Sequence, residues 1–207
     1  MTSKGPSHVD LETAVPAAEP ATGRRNLIGL AGFAGLAGAA AALLSSQPVA
    51  AVPTSDDIAL LREALRLELS ARDLYQAQLD AHPNGSMATA VKVMLDNHEA
   101  YAQAIAGATG LSIVDVGRND QVFDDNVEAF EASDFAAAAH TIEQTAVSTH
   151  TALLGDYESA DALALTSSIL VAEARHATVL ADVLGVDDFD VLFGNDQPAL
   201  DLAGSDA

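Results

Sequence analysis

The chain has 207 residues, enough for one domain with appendages, and lacks cysteine, which rules out thiolate ligands, thiol nucleophiles and a lipid-modified cysteine. Aromatic residues make up only 4% of a sequence dominated by Ala and Leu, which favours helices over strands. The formal net charge of −21 sets the folded part against nucleic acid and anionic membranes as partners.

Residues 1–23 are polar and carry several Pro, Gly and Ser, a composition that predicts disorder. Arg24-Arg25-Asn26-Leu27-Ile28 follows, then an uncharged Gly/Ala/Leu segment to about Leu44 and the small residues Val49-Ala50-Ala51. A basic start, an apolar middle and a small-residue end are the layout of a secretory leader. The adjacent arginines resemble a twin-arginine export signal. The expectation is an exported protein, periplasmic, at the cell envelope or extracellular, with residues 1–51 as leader. The apolar segment is short and Gly/Ala-rich, weak for a permanent membrane span. Membrane attachment through an uncleaved leader is the alternative. Lys4, Arg24 and Arg25 balance three acids up to Ala51, so the acidic excess falls on the remainder, with 27 acids against 6 bases. Such a surface serves solubility and also attracts cations.

Pro53-Thr54-Ser55-Asp56-Asp57 supplies cap residues and first-turn acids for a first helix over about Ser55 to Ala81. His82-Pro83-Asn84-Gly85 breaks it, and a second helix is expected from about Ser86 to Ala108, closed by Gly107 and Gly110. Residues 111–133 hold no sustained period, so a long connection is expected, with a short helix near Val127–Glu131. Ser133-Asp134 is expected to cap a third helix running to about Leu154, and a fourth should span about Asp161 to Leu184 and end at Gly185. The acidic tail, 186–207, should pack loosely along the bundle and fray near Gly204. Short loops make antiparallel neighbours. Two hairpins joined by one long crossover therefore define the expected all-α fold, with the bundle over residues 52–185.

Each helix carries an apolar stripe interrupted near its middle by acids or histidines. The second helix shows Met87, Val91, Met94, His98, Tyr101 and Ile105 at steps of three and four, which keeps one face. The fourth shows Leu165, Ile169, Glu173, His176 and Leu180. Leu61, Leu65, Glu68, Tyr75 and Leu79 share a face of the first. Ala136, His140, Glu143, Val147, His150 and Leu154 share one of the third. Glu68, Tyr75, His98 and Tyr101 recur 75 positions later as Glu143, His150, Glu173 and His176. Gly110 and Gly185 keep the same spacing, so the hairpins read as copies about a pseudo-twofold axis. A buried carboxylate is costly unless paired, and four stripes that bury acids and imidazoles point to a shared cation.

Glu173-Ala174-Arg175-His176 places an acid and a histidine at i and i+3. In di-iron carboxylate bundles two helices each give a Glu and two each give Glu-x-x-His. The stretch Ser168 to Ala177 resembles the fourth helix of exported bacterial ferritin-like proteins. Leu67-Glu68 with Leu74-Tyr75 resembles their first helix, and Thr141-Ile142-Glu143 their third. The resemblance covers roughly residues 55–185 and implies a ferritin-like four-helix bundle. The second helix departs from it, with His98-Glu99-Ala100-Tyr101 where Glu-x-x-His is expected. Glu99 points about 100° away from His98. Carried over residue by residue, the implied metal ligands are Glu68, His98, Glu143, Glu173 and His176. Three carboxylates and two imidazoles suit iron, manganese or another divalent transition metal, in one position or an asymmetric pair.

Tyr75, Tyr101 and His150 read as partners of the ligands or satisfied core polar groups. His140 reads as lying at the edge of the polar layer, and His82 and His8 carry no role. The leading functional expectation is an exported metal-binding protein with oxidase or peroxide-consuming activity. Its rival is a non-catalytic bundle at the cell envelope, with Glu173 and His176 a simple hydrogen-bonded pair and Glu68 held by an arginine such as Arg72. Metal ions are the expected partners, and a homo-oligomer is compatible with either reading. No nucleophile motif, phosphate loop or nucleotide signature supports a hydrolase or transferase.

Overall fold

The computed structural model describes residues 53–189, 192 and 194–201; the leader expected over 1–51 and the fraying expected at Gly204 lie outside them. Among the described residues there are six helices and no strand: α1 Ser55–Ala81, α2 Ala88–Thr109, α3 Ile113–Val116, α4 Asp120–Glu131, α5 Ala136–Leu154 and α6 Ala160–Val183. The two hairpins α1–α2 and α5–α6 meet with α1 against α5 and α2 against α6.

Thr54 and Asp57 form a reciprocal capping box at the start of α1, each side chain taking the other's backbone N–H at 3.1 Å. Asp57 is wholly buried because it also accepts the backbone N–H groups of Glu158 and Ser159, at 2.8 and 3.1 Å. One carboxylate therefore ties the start of α1 to the α5–α6 loop. Burial alone would raise its pKa, but these donors hold it below the ordinary value. The helix ends at His82, whose Nε2 lies 2.8 Å from the Glu131 carbonyl oxygen at the end of α4. Hairpin ends need a left-handed residue without steric cost, and Gly110 and Gly185 supply it with φ of +74° and +72°.

The connection between hairpins is more helical than its sequence pattern indicates. The single short helix expected near Val127–Glu131 is replaced by α3 and by a 12-residue α4. Asn119 caps α4 by accepting from the Val122 N–H, and its own N–H donates to Ser70 Oγ on α1. Docked on α1, α4 buries Phe130, whose ring meets Tyr75 edge-on at 5.3 Å. The start of α5 also differs: Phe135, with no side-chain capping bond, takes the cap position expected of Ser133-Asp134. Its ring is buried beside Phe130, so core packing prevails over capping there. Helix α2 begins two residues after the expected Ser86.

The inward faces of α1, α2 and α6 follow the expected stripes; that of α5 is rotated. Its buried positions are Ala136, Ala139, Ile142, Glu143, Ala146, Thr149, His150 and Leu153, while His140, Val147 and Leu154 lie at the flank. Phe130 of the docked α4 and Phe135 at the start of α5 share one apolar cluster with Ala139 and Ile142, on the side to which the buried face has turned. Among the described tail residues, Asn195, Gln197 and Leu200 are hydrogen-bonded to α5. Ser148 Oγ donates to the Gln197 carbonyl at 2.6 Å, and the Leu200 N–H donates to Thr149 Oγ1 at 3.0 Å.

Two apolar clusters fill the bundle. One gathers Leu67, Leu74, Met94, Phe130, Ile142 and Leu180; the other gathers Leu61, Leu65, Ile105, Leu153, Leu165 and Ile169. The acids and imidazoles of all four long helices lie in the middle turns, between the positions that build these clusters.

Candidate metal centre

Glu68, His98, Glu143, Glu173 and His176 come together in the interior, each no more than 1% exposed. Heptad-like spacing on each helix turns them inward, and the hairpin geometry sets their height. Glu68 receives His98 Nδ1 at 2.7 Å on Oε2 and His150 Nε2 at 2.9 Å on Oε1. Glu143 faces His98 Nε2 at 3.2 Å through Oε1 and His176 Nδ1 at 3.2 Å through Oε2. The Tyr75 hydroxyl donates to Glu143 Oε1 at 2.5 Å. Arg72 turns to Asp73, at 2.7 Å, and not to Glu68. Glu99 is exposed, as its helical angle from His98 requires.

Besides the five and Tyr75, two more residues belong to this layer. His150 is fully buried, with Nε2 also 3.2 Å from Glu173 Oε1. Its 75-residue match to Tyr75 was the available signal. Asn97 places Nδ2 2.9 Å from His176 Nε2. An amide donating there leaves the proton of a neutral His176 on Nδ1, pointing at Glu143. No pattern marked Asn97, whose neighbour His98 carries the stripe. Tyr101 differs from its reading as a satisfied polar group, since its buried hydroxyl has no hydrogen-bond partner.

The electrostatics divide the acids. Burial pushes Glu68 up, but hydrogen bonds from His150 and His98 bring it down to about 2. Glu143 ends well below the carboxylate range, because His176 and His98 outweigh its burial. Glu173 is the acid that gives way: burial raises it, repulsion from Glu68 and Glu143 adds to this, and it stands at about 8 despite His150. Burial lowers His98 and His150, yet the carboxylates lift His98 well above its ordinary value and His150 to about 10. The lowered acids Glu68 and Glu143 and the raised imidazoles His98 and His150 thus favour each other's charged forms.

The same residues fit a cation. Neither oxygen of Glu173 meets hydrogen-bond geometry, and its Oε1 has an ion-pair contact at 3.2 Å with His150 Nε2, which lies closer to Glu68, at 2.9 Å. A buried carboxylate without a hydrogen bond is expensive unless it is neutralised or coordinated. Two donor atoms bound to one ion at about 2.1 Å stand about 3.0–3.4 Å apart at right to tetrahedral angles. The 3.2 Å separations of Glu143 from His98 and His176 match that spacing. Two groups have ligand atoms all within 4.8 Å of one another: His98, Glu143 and His176, and Glu68, His98 and Glu173.

Fold and site together define a helical bundle with a buried histidine–carboxylate centre. The chain belongs to the ferritin-like domain family, whose model matches residues 56–186. No curated protein and no solved structure gives a significant match.

Proposed function

We propose that the chain is an exported protein that binds a divalent transition metal, iron or manganese, through Glu68, His98, Glu143, Glu173 and His176. The observation that carries the reading is the convergence of these five buried side chains, whose ligand atoms form two groups, each with all its atoms within 4.8 Å of one another. Carboxylate oxygens and imidazole nitrogens together favour such metals over calcium. Iron held there supplies one-electron exchange with oxygen or peroxide, the oxidase or peroxide-consuming activity of this reading. The protein's own groups prepare the site. Tyr75 holds Glu143 by its hydroxyl, Asn97 orients His176, and the apolar clusters keep bulk water out. Export rests on the leader-like order of Arg24-Arg25, the apolar run and Val49-Ala50-Ala51, with residues 52–185 as bundle and 186–207 as tail.

A second reading, a non-catalytic envelope bundle, is favoured by one observation: His98 and His150 already neutralise Glu68 and Glu143 without an ion. Protein freed of metal by chelation separates the two. Under the first reading, iron(II) or manganese(II) raises the melting temperature of the wild type and leaves Glu173→Ala and His176→Ala unmoved; an ion at a hundred times its Kd adds about 2.7 kcal/mol. A flat response to both metals, and to zinc, supports the second.

A further inference from the structure

Building on the metal-binding reading, we propose that a pocket between α5, α6 and the tail is the port by which a divalent cation reaches the buried centre, with His140 its first protein ligand. The centre needs a way in, since none of its five ligands is more than 1% exposed. The pocket has a volume of about 120 Å³, room for an ion with several of its waters.

Position makes the argument. His140, Gln144 and Val147 line the pocket from α5, and Ala174, Ala177 and Thr178 line it from α6. Glu143 lies one turn after His140 and one turn before Val147, while Ala174 and Ala177 are the sequence neighbours of Glu173 and His176. The pocket therefore backs onto the turns that carry three of the five ligands. Its wall on α6 is only a methyl group deep at Ala174 and Ala177. The rim is held in place, because Asn195 Nδ2 donates to the Gln144 carbonyl at 2.8 Å and to Ser148 Oγ at 3.0 Å.

Chemistry agrees with position. No lysine or arginine stands among the described residues lining the pocket, and the chain's net charge of −21 draws cations to its surface. His140 is half-buried, and among the described residues no hydrogen bond or ion pair holds its ring. An incoming ion can exchange a water for its imidazole nitrogen, with the Gln144 and Thr178 side-chain oxygens close by in the same pocket. From there Glu143 is about 4.5 Å further along α5. Two other seams suit a cation less. The seam between α1 and α5 is covered by α4, which packs on both. On the α2 side of α6 lies Arg175, whose charge reaches the Tyr101 hydroxyl and would repel an ion there.

Cobalt(II) is the probe, because its visible absorption changes when protein nitrogen and oxygen replace water around it. Chelator-treated full chain is mixed with cobalt(II) by stopped flow, and release is then followed in excess chelator. Ala174→Leu and Thr178→Leu each put bulk into the pocket at an exposed position. Each should slow uptake and release alike by about tenfold, with stoichiometry and affinity unchanged, and His140→Ala should slow both by about threefold. Equal slowing in both directions marks a route, whereas damage to the centre weakens binding. Arg175→Gln should leave both rates within about twofold of the wild type. Circular dichroism confirms that each variant has folded. Unchanged rates in the two leucine variants, slowing matched by weaker binding, or uptake hastened by Arg175→Gln overturns the port while leaving metal binding intact. Unchanged rates in His140→Ala overturn its place as first ligand. No cobalt bound by the wild type overturns the port and the metal-binding reading together.

Discussion

In the α1–α2 hairpin, Glu68 is held on both oxygens by imidazoles, at 2.7 and 2.9 Å, whereas in the α5–α6 hairpin Glu173 has a looser contact, Oε1 with His150 Nε2 at 3.2 Å. The hairpins also differ at matched positions 75 apart. Where the first has the phenols Tyr75 and Tyr101, the second has the imidazoles His150 and His176. Phenols in this interior are held in the protonated state, since burial and neighbouring carboxylates push both tyrosines up. The contrast lies between the two acids and not between whole hairpins: Glu143 of α5 is held by Tyr75, His98 and His176, and Tyr101 of α2 has an unpaired hydroxyl.

The sharpest way to break this contrast is to neutralise one acid in each half. In metal-free protein, Glu68→Gln should cost about 3–5 kcal/mol in urea unfolding, because it strips the partner from two buried imidazoles. Glu173→Gln should cost under about 0.5 kcal/mol, since burial and repulsion from Glu68 and Glu143 already favour the neutral form of Glu173. Equal costs would erase the distinction.

Titration of metal-free stability should separate the halves again. Glu68, lowered to about 2, contributes stability that is present above its unfolded value near 4.5 and lost as pH falls toward 2. His150, raised to about 10, contributes stability present below about 6.5 and lost as pH rises to about 10. Melting temperatures across pH should therefore show an acid limb reduced by Glu68→Gln, with Glu143 and Asp57 keeping the remainder, and an alkaline limb reduced by His150→Ala, with His98 keeping the remainder.

Among the phenols, Tyr75→Phe should cost about 1.5–3 kcal/mol, the worth of a hydrogen bond to a charged acceptor. Tyr101→Phe should be neutral or slightly stabilising, as its hydroxyl has no partner to lose. Calorimetry on the two variants side by side tests the difference. The hairpin ends test agreement between the halves: Gly110→Ala and Gly185→Ala should each cost about 1–2 kcal/mol through left-handed strain, with open space around both. Here the halves should agree, and a cost confined to one would show that only that end constrains the chain.

The bundle was legible because stripe period and loop length are local properties. Residues such as Leu61, Leu65, Val91, Met94, Ile105 and Leu180, all at most 1% exposed, sit where the stripes place them. The five expected site residues converge for the same reason. What local pattern did not show depends on tertiary contact. Only Val122 and Phe130 of α4 are buried, too few to stand out as a periodic face. The turn of α5 about its axis brings its buried face to the apolar cluster it shares with α4, and the role of Asn97 exists only because α6 brings His176 to it.

The Asp57 clamp has a mechanical consequence. Whatever precedes Pro53 attaches four residues before a carboxylate that grips both its own helix start and the backbone of Glu158 and Ser159. Tension applied at that end is passed straight to the far hairpin, so α1 resists being peeled away turn by turn. Hauling the chain from its front would load the whole bundle at once, and the polar interior would stay sealed until the clamp failed.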